Sequence, residues 1–131
     1  MKNTIFKLTE YVYYFSLLVL LILYLFPGSL IGYFLYGNLG QQPNLITNPI
    51  GTSINHLIFF SYITILAIIV RLRAKNILTN YRFILFISCV LEISHLIITN
   101  RAFEFYDLIA NFIGVVIILL LNSFIKWRKH L

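Results

Sequence analysis

The stretch Phe83-Ile84-Leu85-Phe86-Ile87-Ser88-Cys89-Val90-Leu91-Glu92-Ile93-Ser94-His95-Leu96-Ile97-Ile98 decides how this chain is read. Its length and apolar content are those of a segment that enters a bilayer, yet it carries Glu92 and, one turn on, His95. An ionisable group at mid-helix in hydrocarbon costs roughly 2.5–3.5 kcal/mol on the insertion scale, so chains rarely carry one without a use. Polar residues continue downstream as Arg101, Asp107 and Asn111, with Gly114 one turn further. Three of the four acids, Glu92, Glu104 and Asp107, fall in this short region; the fourth is Glu10.

The rest of the chain agrees with a membrane setting. Of its 131 residues, 60% are hydrophobic and 11% charged, against about 45–50% and about 25% in soluble domains. Four apolar stretches, residues 11–26, 54–70, 83–98 and 108–125, are each 16–18 residues long. That is the short end of what crosses a core of about 30 Å. The pattern predicts an all-α membrane protein, a single domain over 1–131 with four transmembrane helices. Lys2, Lys7, Arg71, Arg73, Lys75, Arg82, Lys126, Arg128 and Lys129 fall on one side if both termini are cytoplasmic, leaving Arg101 as the sole outer cation. The outer loop 27–53 then carries no charge, a strong positive-inside pattern. The net charge of +6 thus needs no nucleic acid to explain it, and no nucleic-acid partner is expected. The first apolar run ends Phe26-Pro27-Gly28-Ser29-Leu30, without a small-residue cleavage site, which predicts a retained helix rather than a secretory signal. Cys89 is alone and reads as a small apolar residue.

All three prolines and five of the six glycines fall between residues 27 and 51. The first part of this loop, 29–36, is apolar and aromatic but too short to span, and is expected to lie along the interface or dip in. The second part, 37–52, is rich in Asn and Gln and is expected to be solvated. Loops beyond about 12–15 residues usually have a function or are disordered; a lid over the polar site is the expectation. Tyr11, Tyr13, Tyr14, Tyr81 and Trp127 fit an inner aromatic belt.

Helical spacing selects which polar residues meet. Glu92 and His95 are three apart and share a face, with Ser88 one turn earlier. Asp107 and Asn111 are four apart, and Gly114 continues their stripe. A short turn makes these two segments antiparallel neighbours, so the polar faces oppose. Glu92 lies about 9 Å from the outer end at ~1.5 Å per residue. His56 opens the second apolar stretch at the same level. The expected site is an outward-facing polar pocket in which Glu92, His95, Arg101, Asp107, Asn111 and His56 bind a ligand, while Ala110 and Gly114 pack helices. Plainer roles stand beside these. Asp107 suits a helix N-terminus, Asn111 an interhelical bond, Arg101 a pair with Glu104 or Asp107, and Glu92 a buried pair with His95 or Arg101. Glu-x-x-His is the spacing of four-helix di-iron sites, which need it twice. Here it occurs once, with His56 and Asp107 as the only further candidates, so no metal and no cofactor are expected. Acid/base work by Glu92 and His95 with Arg101 on phosphate is chemically reasonable. No activated Ser or Cys and no phosphate-binding glycine loop accompany it, so no catalytic residue is assigned.

The string Glu92-Ile-Ser-His95, Asn100-Arg101-Ala-Phe103 and Tyr106-Asp107-Leu-Ile-Ala-Asn111-Phe-Ile-Gly114 resembles the VanZ-like family of small polytopic membrane proteins. That family has an acid and a Gln spaced by two residues, then Arg, then Asp-x3-Asn-x2-Gly. His56, followed by Phe59, Phe60 and Tyr62, resembles the family's helix-2 histidine. His95 stands in place of the Gln, which argues against an obligatory metal ligand there, and Thr52-Ser53-Ile54-Asn55 replaces the family's Asp-Lys. The resemblance implies a multi-pass protein of the bacterial cytoplasmic membrane, associated with the cell envelope and with low-level glycopeptide (teicoplanin-type) resistance. The functional expectation is binding of an amphiphile, a membrane lipid or lipid-linked glycan, with Arg101 on phosphate or carboxylate and the other site residues on hydroxyls or amines. The rival expectations are an accessory subunit of a larger membrane complex docked through Ala110 and Gly114, a homo-oligomer, or a small transporter.

Overall fold

The structure, a computed structural model, describes residues 2–43, 51 and 53–129. The described chain is all α: α1 (Lys2–Leu25), α2 (Leu30–Tyr36), α3 (Ser53–Arg71), α4 (Tyr81–Ser94) and α5 (Phe105–Arg128). Of these, α1, α3 and α5 are long and apolar enough to cross a membrane. Their outer faces are apolar and their interior is partly polar. Ser88, Glu92 and Asn111 are fully buried, whereas Phe86 is 64% exposed and Ile97 86%. Water would penalise that distribution and hydrocarbon favours it, because only inside the bundle do polar groups find partners. This is a membrane protein.

Two of the expected long segments change length. The first helix starts near the N-terminus rather than at residue 11, as α1. The third is shorter than the 83–98 run: α4 has 14 residues, which at ~1.5 Å each fall short of a ~30 Å core. Only three of the four predicted spans are therefore long enough as regular helix. The reason lies at the end of α4. The amides of His95, Leu96 and Ile97 donate to the carbonyls three residues back at 3.1, 3.1 and 3.0 Å, a tightened 3₁₀-like turn. Asn100 then turns the chain with φ 59°, a conformation that Asn tolerates better than most residues. The other end of α4 is set by Asn80, whose side chain accepts from the Arg82 amide.

The predicted outer loop contains a helix. Ser29 caps α2 through the Gly32 amide at 2.9 Å, and the Ser29 amide bonds Leu39 O at 2.7 Å. A Cβ at Gly32 would sit 1.6 Å from Gln41 O, so only glycine lets the returning chain lie against α2. Asn55 Nδ2 donates to Pro43 O at 2.6 Å and ties this segment to α3. Residues 44–50 and 52 of the expected solvated part lie outside the described residues.

α3 is the central element, packed most extensively on α5 and also on α1. At its closest approach to α5, a Cβ on Gly114 would meet Leu57 O at 2.5 Å. Ser61 Oγ donates to Gly114 O at 3.2 Å across the same contact. Gly114 thus serves packing inside the chain, and Ala110 is buried nearby on α5. The core that follows is Tyr13, Leu20, Phe60, Ile63, Ile84, Leu91 and Val115. Tyr13 is a correction to the aromatic belt: it is fully buried and its hydroxyl donates to Leu78 O at 2.5 Å. Tyr11 and Tyr81 are exposed as expected. The cations gather near this end, where Arg73 donates to Asn3 at 2.7 Å and stacks on Phe6.

Gly114→Val is expected to destabilise by about 1–3 kcal/mol, the cost of overpacking a tight contact. Thermal unfolding in detergent checks this; an unchanged midpoint would refute the close α3–α5 contact.

Candidate functional site

The ends of α1, α3, α4 and α5 opposite the basic end bring the predicted polar residues together. α3 places His56 in its first turn, and α5 places Asp107 in its first turn and Asn111 in the next. α4 places Ser88 and Glu92 on one face, with His95 as its C-cap. Asp107 Oδ1 accepts from Ser53 Oγ, and its Oδ2 lies 3.3 Å from His56 Nε2. Glu92 Oε1 accepts from the Glu104 amide at 3.3 Å and lies 3.2 Å from His95 Nδ1. Glu92 Oε2 has no hydrogen-bond partner and lies 3.6 Å from His56 Nδ1.

Donor chemistry fixes several protons. Asn111 Nδ2 donates to Ser88 O at 3.2 Å, so its Oδ1 accepts, and Tyr24 O–H donates to it at 2.9 Å. The Tyr24 oxygen is then free to accept from His56 Nδ1–H at 2.7 Å. Asn111 thereby sets the tautomer of His56 in its neutral form, with Nε2 bare toward Asp107. His95 Nε2 lies 3.2 Å from Tyr24 O, an acceptor only, so Nε2 carries a proton. The contact of His95 Nδ1 with Glu92 Oε1 therefore requires one shared proton. The Tyr24 and His95 rings stack at 5.3 Å and 18°.

Arg101 departs from all three of its expected ion pairs, with Glu104, Asp107 and Glu92. Its Nε donates to Phe26 O at 3.3 Å and its Nη2 to Leu23 O, capping the end of α1. No Arg–carboxylate pair occurs among the described residues; the close charge contacts all involve His56 or His95. Burial pulls the Arg101 guanidinium below its ordinary value, partly offset by Tyr24 and Glu92.

A cavity of about 110 Å³ opens beside this network. Its polar wall includes Tyr24, Asn55, His56, His95, Arg101 and Gln42. Its apolar wall includes Leu20, Leu23, Leu30, Ile31 and Phe59. Of the six predicted ligand residues, His56, His95 and Arg101 line it, while Glu92, Asp107 and Asn111 lie behind that wall and hold His56 and Tyr24. Leu30, Ile31, Gln42 and Pro43 put α2 and the loop after it on the cavity, where a lid was expected.

Sequence reasoning missed Tyr24, Ser53 and Asn55. The signal for Tyr24 is a stripe on α1: Tyr13, Ser16, Leu20 and Tyr24 recur in steps of three and four and are all buried. A second cavity, of about 690 Å³, lies toward the basic end and is lined by Arg71, Lys75 and Lys126 among others. No family model, curated protein or solved structure matches the chain.

Glu104, at the exposed N-cap of α5, has its carboxyl pushed above the ordinary range, first by partial burial and then by Asp107 and Glu92. A raised folded-state value means folding favours the protonated form, so this stability is lost as pH rises through that value. Glu104→Gln is expected to raise the melting midpoint at neutral pH, with the gain fading below the ordinary carboxylate range. A gain that does not vary with pH would contradict the electrostatic origin.

Proposed function

We propose that the chain is a four-pass protein of the bacterial cytoplasmic membrane, with both termini cytoplasmic, that binds the polar head of an amphiphile in an outward-facing cavity. The observation that carries this reading is the cavity's two-sided wall: Arg101 and two histidines on one side, leucine, isoleucine and phenylalanine on the other. A headgroup enters among the polar groups while its acyl part follows the exposed apolar helix surface. The size narrows the ligand. About 110 Å³ is well below the roughly 300–1,000 Å³ of drug-sized pockets. It suits a phosphate- or amine-sized head, or only the membrane-proximal anchor of a lipid-linked glycan.

Arg101, spread over two backbone carbonyls, keeps donors for one anionic oxygen. The ring nitrogens of His56 and His95 are engaged by Tyr24, Asp107 and Glu92, so these two rings shape a rigid polar wall beside Arg101. In this reading the tightened end of α4 and the turn after it complete the fourth crossing. The basic end then faces the cytoplasm, as nine of ten cations require. The likeness of the Glu92-to-Gly114 string to the VanZ-like family belongs to the same reading, and with it an envelope role linked to glycopeptide resistance.

Native mass spectrometry of the detergent-purified chain tests the proposal. Wild type is expected to retain a discrete phospholipid or glycolipid. Leu30→Trp, which fills the cavity, and Arg101→Ala are each expected to lose most of it at unchanged monodispersity. Equal lipid retention by wild type and by Leu30→Trp would sink the reading.

A further inference from the structure

Behind the cavity wall, His56, Glu92 and Asp107 each present a ligand atom, and these atoms lie within 4.8 Å of one another. The hydrogen-bond chain from Ser88 through Asn111 and Tyr24 occupies His56 Nδ1, so a neutral ring turns an unshared electron pair on Nε2 toward Asp107 Oδ2 at 3.3 Å. A lone pair and an anionic oxygen repel at that distance unless something positive lies between them. Glu92 Oε2 adds a second demand: it belongs to a fully buried side chain and has no hydrogen-bond partner. No Lys or Arg pairs with either carboxylate among the described residues. One imidazole and two buried carboxylates thus cluster, Asp107 at the Nε2 edge of the ring and Glu92 Oε2 3.6 Å from Nδ1.

We infer that His56, Glu92 and Asp107 form a binding site for a divalent transition cation, with Zn²⁺ the expected occupant. A Zn²⁺ ion with bonds of ~2.0–2.1 Å in tetrahedral geometry separates its ligand atoms by about 3.3 Å, the spacing of His56 Nε2 and Asp107 Oδ2. The donor set, one nitrogen and two carboxylate oxygens, suits Zn²⁺ or Mn²⁺ better than Ca²⁺ or Mg²⁺. The surrounding groups already act as a metal site's outer support does. Tyr24 accepts from the ring nitrogen that would not bind metal, and Ser53 holds the other oxygen of Asp107. A dication would also offset two negative charges in a setting where unpaired charge is costly. This site does not depend on the amphiphile reading, because its ligands bind the ion whether or not the cavity is filled.

The test uses the full chain purified without a histidine tag, stripped with chelator and titrated with ZnCl₂ by calorimetry. The expected result is saturable binding of one Zn²⁺ per chain, weakened at least tenfold in His56→Gln and in Asp107→Asn, each with wild-type helicity. Should those variants fail to fold, wild type decides alone. Co²⁺ should give visible ligand-field bands that one equivalent of Zn²⁺ abolishes, and ¹⁵N-histidine labelling should reveal the bound imidazole. Absence of saturable binding in wild type, or equal affinity in folded variants, would overturn the inference; a proton would then fill the gap between His56 and Asp107.

Discussion

Two carboxylates buried among apolar helices impose the constraint on which the end of this molecule opposite its basic residues depends. Glu92 and Asp107 sit on neighbouring helices, and neither is paired with a Lys or Arg side chain among the described residues. Compensation comes instead from His95, a serine hydroxyl and a backbone amide. These donors come from three places in the chain: α3, the end of α4 and the start of α5. Burying a charge without its partners costs far more than a lost hydrogen bond, so the helix ends are held in one relative arrangement. Tyr24 extends that arrangement to α1, since its hydroxyl joins His56 to Asn111 and its carbonyl meets His95.

Arg101 completes the frame in another way. Its guanidinium is spent mainly on carbonyls at the end of α1, which would otherwise lack intrahelical partners. Arg101 is thus a fastener for the first helix as well as part of the cavity wall. Gly114 makes the matching contribution deeper in the bundle, where backbone meets backbone between α3 and α5. Together these contacts explain why the cavity can be small and well defined.

Much of this was legible in the sequence because periodicity carries it. The i,i+3 and i,i+4 steps of Ser88, Glu92 and His95, and of Asp107, Asn111 and Gly114, placed their faces correctly, and three of the four apolar runs fall in long helices. Composition alone could not reveal where α4 loosens into a tighter turn, because Leu96, Ile97 and Ile98 continue the apolar pattern after the α-helical bonding stops. Nor could it find Tyr24, whose role is set by a partner 32 residues away. The division of the polar string into cavity wall and hidden support was equally out of reach. It depends on side-chain direction across three helices, not on spacing within one.

The shortness of α4 has a consequence for the lipid around it. In a bilayer crossed by α1, α3 and α5, acyl chains beside α4 meet only 14 residues of regular helix, about 21 Å at ~1.5 Å per residue. Hydrophobic mismatch of this kind is relieved by local thinning of the membrane. Phe86 and Ile93 on α4, and Leu96 just after it, are the exposed side chains such thinning would meet. The leaflet would therefore dip beside Glu92 and His95, bringing headgroups toward the polar cluster without any opening of the protein.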